Sequence, residues 1–261
     1  MKRIQQDSNM LGVPQRGSSR HAVCCRRNDR KGARSIVMKL YYHDDGCIIF
    51  HGDCKDVLYS MDMQDLIITD PPYGMSYRSN FRKERFDPIE GDTTFPSWIF
   101  NANPKVAMFV FCRWNNLLTF PIPKSFIVWD KMVQCGMGDL ANEYIRTWEG
   151  IAFYPGPEHK FVHRPPDIIH CKKIDNDKYT HPTEKPVGVV TPLIEAHEGN
   201  VFDPFMGSGT TLVAAKMCGR KSIGIEIEEK FCELAANRLQ ATERGQSLKD
   251  FIAGQEVLQF E

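Results

Sequence analysis

The chain has 261 residues, 42% hydrophobic and 25% charged, which is enough for one α/β domain with a full core. Its longest apolar run, Val106–Cys112, is far shorter than the ~18 residues that span a bilayer, and no secretory signal core is present, so no membrane association is expected. The nine cysteines form no CxxC pair and no regular series, which argues against a disulfide framework or a metal centre and for a reducing, cytoplasmic setting.

The formal net charge of zero conceals a division. Residues 1–37 carry nine basic side chains and two acidic ones, whereas the remainder carries 24 bases against 31 acids. With almost no apolar periodicity, residues 1–37 read as a disordered extension. Nonspecific phosphate binding is a second reading, and a targeting leader a third that lacks an amphipathic face. Met38 stands just before the first strand-like pattern, and residues 38–261 are expected to fold as one domain.

Downstream, strand-like and helix-like segments alternate, as they do in α/β sheets. A strand is predicted at Cys47–Phe50 and a helix at Cys54–Ser60. The next strand, Leu66–Thr69, ends in Asp70-Pro71-Pro72-Tyr73. A long polar loop follows at about 74–95, holding Arg78, Arg82, Lys83 and Arg85. Further strands are predicted at Val106–Phe111, Phe126–Trp129 and Gly150–Tyr154. Residues 155–183 fit no regular element and collect four histidines, five lysines or arginines and several prolines. Irregular stretches this long inside a compact domain are usually functional, and basic with aromatic side chains suit a nucleic-acid groove. A solvated surface is the plainer alternative. A helix at Pro186–Ala196, a strand at Asn200–Phe202, a helix at Thr210–Cys218, a strand at Ser222–Ile227 and a helix at Glu228–Gln240 complete the pattern, for seven strands in all.

Two of these strands end in acids that carry chemistry. Consecutive prolines after Asp70 fix φ and remove N–H donors, leaving backbone carbonyls free. The Asp70 carboxylate and the Pro71 carbonyl are then placed to accept both hydrogens of an exocyclic amine. Tyr73 is suited to stack on an extruded base, a contact worth roughly 1–3 kcal/mol. A simple strand-ending turn is the alternative for the tetrapeptide alone. In Asp203-Pro204-Phe205-Met206-Gly207-Ser208-Gly209-Thr210, two glycines permit close backbone approach and Thr210 opens a helix. Glu226 ends the following strand, where an acid can hold ribose hydroxyls. That unit is a generic nucleoside binder. It is neither a P-loop, lacking GxxxxGK[ST], nor a dinucleotide fingerprint, lacking the third glycine.

These segments, together with His51-Gly52-Asp53-Cys54, His181-Pro182-Thr183-Glu184-Lys185-Pro186 and Gly224-Ile225-Glu226-Ile227, resemble the motifs of the amino-methylating DNA methyltransferases. The order is that of the permuted group, in which the catalytic tetrapeptide precedes the cofactor motif, and the resemblance runs from about Ile48 to Leu239. It implies a Rossmann-like α/β fold with a seven-stranded, mostly parallel sheet, one reversed strand and helices on both faces. It also implies S-adenosyl-L-methionine as methyl donor, no metal, double-stranded DNA as partner, and transfer to the amino nitrogen of a flipped base. Asp70, Pro71, Pro72 and Tyr73 would be the catalytic set. Asp203, Pro204, Phe205, Gly207, Ser208, Gly209 and Thr210 would surround the cofactor, with Glu226 on the ribose and Asp53 near the adenine moiety. Thr183, Lys185 and Pro186 would close over the methionine end, and Phe111 with Trp129 would either wall the pocket or pack in the core.

Asp at the head of the tetrapeptide is typical of family members acting on adenine N6, so adenine is expected, with cytosine N4 as the alternative and an RNA or protein amide further off. Methylation at cytosine carbon 5 needs a cysteine nucleophile, normally in a Pro-Cys pair, and no cysteine here follows a proline. Target choice is expected in the loops at about 74–95 and 155–183. The second spans only 29 residues, which implies a short recognition sequence or help from a dimer partner.

Overall fold

The computed structural model describes residues 22–26, 35–44, 46–56, 66–73, 94–101, 106–135, 144–172 and 184–246. Among the described residues, ten strands form one sheet. They are β1 (Ala22–Arg26), β2 (Ser35–His43), β3 (Cys47–His51), β4 (Leu66–Thr69), β5 (Ala107–Cys112), β6 (Ser125–Cys135), β7 (Arg146–Tyr154), β8 (Ile168–His170), β9 (Val201–Asp203) and β10 (Ser222–Glu226). Three α-helices are described: α1 (Val187–Glu195), α2 (Thr210–Met217) and α3 (Glu229–Ala241).

The strand order is β1-β2-β3-β10-β9-β4-β5-β7-β6-β8. From β3 to β5 every pairing is parallel, and β7 then runs antiparallel to both β5 and β6. The seven strands expected from the sequence are therefore contiguous, and β7 is the one reversed among them. Strand β4 is buried at all four positions, as a parallel strand covered on both faces should be. Its pleat sends Leu66 and Ile68 to one face and Ile67 to the other. The first face packs under α1, α2 and α3. The second is covered by short 3₁₀ turns at Cys54–Asp56, Ser97–Asn101 and Asn116–Leu118, so helical segments lie on both faces.

Three strands exceed the expected seven. The hairpin of β1 and β2 pairs Ala22 with Lys39 and Arg26 with Ser35, and β2 runs antiparallel to β3. Residues 22–26 and 35–37, expected within a disordered extension, are described in strand conformation. The short runs Ala22-Val23-Cys24-Cys25 and Ile36-Val37 favour extended backbone, but charge averaged over 37 residues hides them. The third addition, β8, lies within the stretch read as irregular, and it pairs in parallel with β6 from Val128↔Ile168 to Asp130↔His170. Three residues are too few to show a period, which is why this edge strand escapes a pattern search.

What positions the site is the reversal of connection between β9 and β4. Strand β10 lies on one side of β9, and β5 lies on the far side of β4. Ligands of open α/β sheets bind outside the carboxyl ends of strands at such a switch point.

Candidate active site

The carboxyl end of β4 leads into Asp70, and that of β9 is Asp203. The Thr69 hydroxyl donates to Asp203 Oδ1 at 2.8 Å and ties the two strand ends together. An open cleft lies over them, lined by Asp70, Phe111, Glu184, Lys185, Val190, Asp203, Phe205, Met206, Gly207, Ser208, Thr210 and Thr211. The tetrapeptide turn and the glycine turn therefore share one cavity, although Asp70 and Gly207 come from opposite halves of the chain.

The glycine turn is built tightly. Gly209 has φ 80° and caps α2; a Cβ there would meet the Ala235 Cβ at 2.6 Å, so α3 packs directly on it. Gly224 on β10 gives room from below, since a Cβ would approach Met206 Sδ to 2.5 Å. From α3, Arg238 Nη1 donates to the Ser208 carbonyl and hydroxyl, both at 2.8 Å, and to Thr210 Oγ1 at 3.2 Å. Its Nη2 pairs with Glu184 at 2.9 Å. One buried guanidinium thus fixes the glycine turn against the segment that enters α1.

Three carboxylates of the site, Asp203, Glu226 and Asp70, are unusually basic. Burial pushes Asp203 up to about 6 despite hydrogen bonds from Thr211, Thr69 and the Phe205 N–H. Burial likewise pushes Glu226 up to about 7, although its oxygens accept from Gly207 N at 3.0 Å and Glu228 N at 2.8 Å. Asp70 is also raised by burial, which Lys185 only partly offsets.

Around Asp70 the side chains form a chain of charges. Tyr73 donates to Asp70 Oδ1 at 2.5 Å, and Lys185 donates to Asp70 Oδ2. Lys185 also lies 3.5 Å from Glu149 Oε2, while Lys131 pairs with Glu149 Oε1 at 2.6 Å. Burial works upward on Glu149, but Lys185 and Lys131 prevail and hold it below the usual range. Burial works downward on Lys185, yet Asp70 and Glu149 keep it raised. Burial and the charges of Asp70 and Glu149 drive Tyr73 well above a free phenol. The Asn116 amide donates to the Tyr73 carbonyl at 3.3 Å and holds the turn.

Of the residues singled out in the sequence, Asp70, Lys185, Asp203, Phe205, Gly207, Ser208 and Thr210 line the cleft. Tyr73 reaches it through Asp70, and Glu226 through Gly207. Pro71, Pro186, Pro204 and Gly209 are buried supports, and Pro72 is half-buried in the turn. Asp53 is exposed, accepts from Lys55 N at 3.0 Å and does not line the cleft. Phe111 lines it, whereas Trp129 packs in the core and donates to the Cys171 carbonyl at 2.8 Å. Thr183 and most of the loop at 74–95 lie outside the described residues. Sequence reading missed Glu149, Lys131, Arg238 and Asn116. Glu184 sat inside a quoted motif; the others carried no signal, because sheet order alone brings them near.

The donor set fits a sulfonium nucleoside with an amino-acid tail. Aromatic Phe111 and Phe205 and the acids Asp70, Glu184 and Asp203 surround a place for positive charge, and Lys185 offers a partner for a carboxylate. No described helix is long and apolar enough to cross a membrane, and no group of three metal-ligating side chains occurs among the described residues.

The fold has the Rossmann-like architecture of a methyltransferase, and comparison with known proteins agrees. A family profile described as DNA methylase, of the N6/N4 type, matches residues 128–237. A protein of Escherichia coli (strain K12) described as "Putative methylase YubD" is 34% identical over 218 residues, covering 74% of this chain and 90% of that protein. Type II methyltransferase M.ScaI of Streptomyces caespitosus is 27% identical over 80% of this chain and 86% of its own length. The crystal structure of the M1.HpyAVI–SAM complex superposes with a TM-score of 0.58 at 26% identity, covering 74% of this chain and 98% of that one. The chain belongs to the N6/N4 amino-methylating DNA methyltransferases.

Proposed function

We propose that this enzyme transfers a methyl group from S-adenosyl-L-methionine to the N6 amino group of adenine flipped from duplex DNA. The observation that carries the reading is the sharing of one cleft by Asp70 and the Gly207 turn, at the β4–β9 switch point. The bound cofactor supplies an electrophilic methyl carbon on a positively charged sulfur. Asp203, Gly207 and Ser208 form the floor under it, Glu226 stands at the ribose side, and Lys185 faces the amino-acid end.

Asp70 and the Pro71 carbonyl accept the two hydrogens of the target amine, turning its lone pair out of conjugation and toward the methyl carbon. Tyr73 stacks on the extruded ring. Positioning supplies most of the rate gain, and the proton leaves after transfer. The loops at 74–95 and 155–183 read the flanking sequence, and the shortness of the second goes with either a short recognition sequence or help from a second copy of the chain. Asp at the head of the tetrapeptide supports adenine over cytosine.

Labelled S-adenosyl-L-methionine incubated with duplex DNA, RNA and protein extract tests the reading. N6-methyladenine in DNA is the expected product. N4-methylcytosine would overturn the choice of base, and label confined to RNA or protein would overturn the DNA substrate. Asp70→Ala should abolish transfer while leaving cofactor binding within about threefold.

A further inference from the structure

Both oxygens of Asp70 are engaged, one by the Tyr73 hydroxyl and one by the Lys185 ammonium. The ammonium occupies the place that the reading above gives to the target amine. It is a nitrogen donor on the Asp70 carboxylate, 5.6 Å from the centre of the Tyr73 ring and 5.4 Å from that of Phe111. An amine arriving at Asp70 Oδ2 therefore competes with Lys185 for that oxygen. A buried cation moves only to another acceptor, because leaving it unpaired costs several kcal/mol.

One such acceptor is within reach. Glu149 Oε2 is buried, makes no hydrogen bond, and lies 3.5 Å from Lys185 Nζ. Its other oxygen is fixed by Lys131 at 2.6 Å, so the free lone pairs keep their direction. Swinging the ammonium off Asp70 toward Glu149 converts the 3.5 Å contact into a charge-assisted hydrogen bond. We propose that Glu149 is a positioning residue that receives Lys185 when the target amine displaces it from Asp70. The two lysines and two carboxylates stay balanced in charge before and after the exchange, so base entry leaves no buried net charge. Lys131 takes part by anchoring Glu149. The inference rests on the assignment of Asp70 to the amine.

Glu149→Gln preserves shape and removes the charge that receives the ammonium. At saturating cofactor, kcat should fall about tenfold or more, with the cofactor KM changed less than about threefold. Adding Lys185→Met removes the blocking cation and restores charge balance, so the double variant, measured at cofactor raised until its own rate saturates, should regain at least about fivefold in kcat over Glu149→Gln. Wild-type kcat in Glu149→Gln, or a loss that Lys185→Met does not relieve, would overturn the inference. If Glu149→Gln does not fold, Glu149→Asp retains the charge but withdraws it from Lys185. It should lose kcat in the same way, and wild-type kcat there would be equally fatal. Wild-type enzyme run on the same duplex separates the two failures. No transfer by wild type sinks the DNA reading itself, whereas active wild type with an indifferent Glu149 variant sinks only this inference.

Discussion

The Thr69 hydroxyl donates a 2.8 Å hydrogen bond to Asp203 Oδ1, joining the last residues of two neighbouring parallel strands. Both groups are buried, so neither can exchange the contact for water. The bond does two things at once. It closes the floor of the cleft, and it stabilises the ionised form of a carboxylate that burial has made basic.

Thr69→Val keeps the shape and deletes the donor. Asp203 would then titrate above its present value of about 6. Cofactor binding near neutral pH should weaken about three- to tenfold, and stability should fall by roughly 1–2 kcal/mol. Calorimetric titration at pH 6.5 and 8.5 checks this, and the defect should shrink at the higher pH, where Asp203 is ionised in both proteins.

Glu226 titrates at about 7 in the fold, against an ordinary value of 4.5. A carboxyl raised by folding binds more protons folded than unfolded over that window, so its contribution to stability declines as pH rises from about 4.5 to about 7 and then levels off. The decline is on the order of 3 kcal/mol for a shift of this size. Glu226→Gln should lack it, so the variant should gain stability relative to wild type between pH 4.5 and 7.5. Denaturant melts of cofactor-free protein across that range provide the measurement, and parallel curves for the two proteins would contradict it.

Arg238 holds three groups of the glycine turn and Glu184 at the same time. Arg238→Met should cost about 3–5 kcal/mol, as expected when one partner of a buried ion pair is removed. Arg238→Lys should recover little of it, since an ammonium cannot present the same fork of donors. Cofactor affinity should fall in both variants alongside the melting temperature. A stable Arg238→Met enzyme with normal affinity would show that the turn holds itself.

The sheet and the two turns were legible because β4, β9 and β10 each read as a short apolar run ending in an acid. Leu66–Thr69 before Asp70 is the clearest case. The glycine turn was legible for a local reason as well, since Gly209 must adopt positive φ against Ala235. The charge chain around Asp70 was not. Glu149 stands opposite Trp129 in a reversed strand, and no local spacing tells that it faces a lysine 36 residues away. Arg238 occupies a helix whose pattern reads only as amphipathic; its buried role follows from how α3 leans on the glycine turn. The hairpin of β1 and β2 failed for the opposite reason, because a composition average over a basic segment outweighed two short extended runs.

The position of β10 constrains how the enzyme comes into being. Among the described strands it is the last in chain order, yet it is seated between β3, which precedes it by about 170 residues, and β9. Until it arrives, the early strand β3 has no parallel neighbour on that side, and the nascent protein carries an open seam through the middle of its sheet. Insertion of β10 is therefore the step that closes the sheet, and a chain lacking that strand exposes the edges of β3 and β9 to aggregation along the seam.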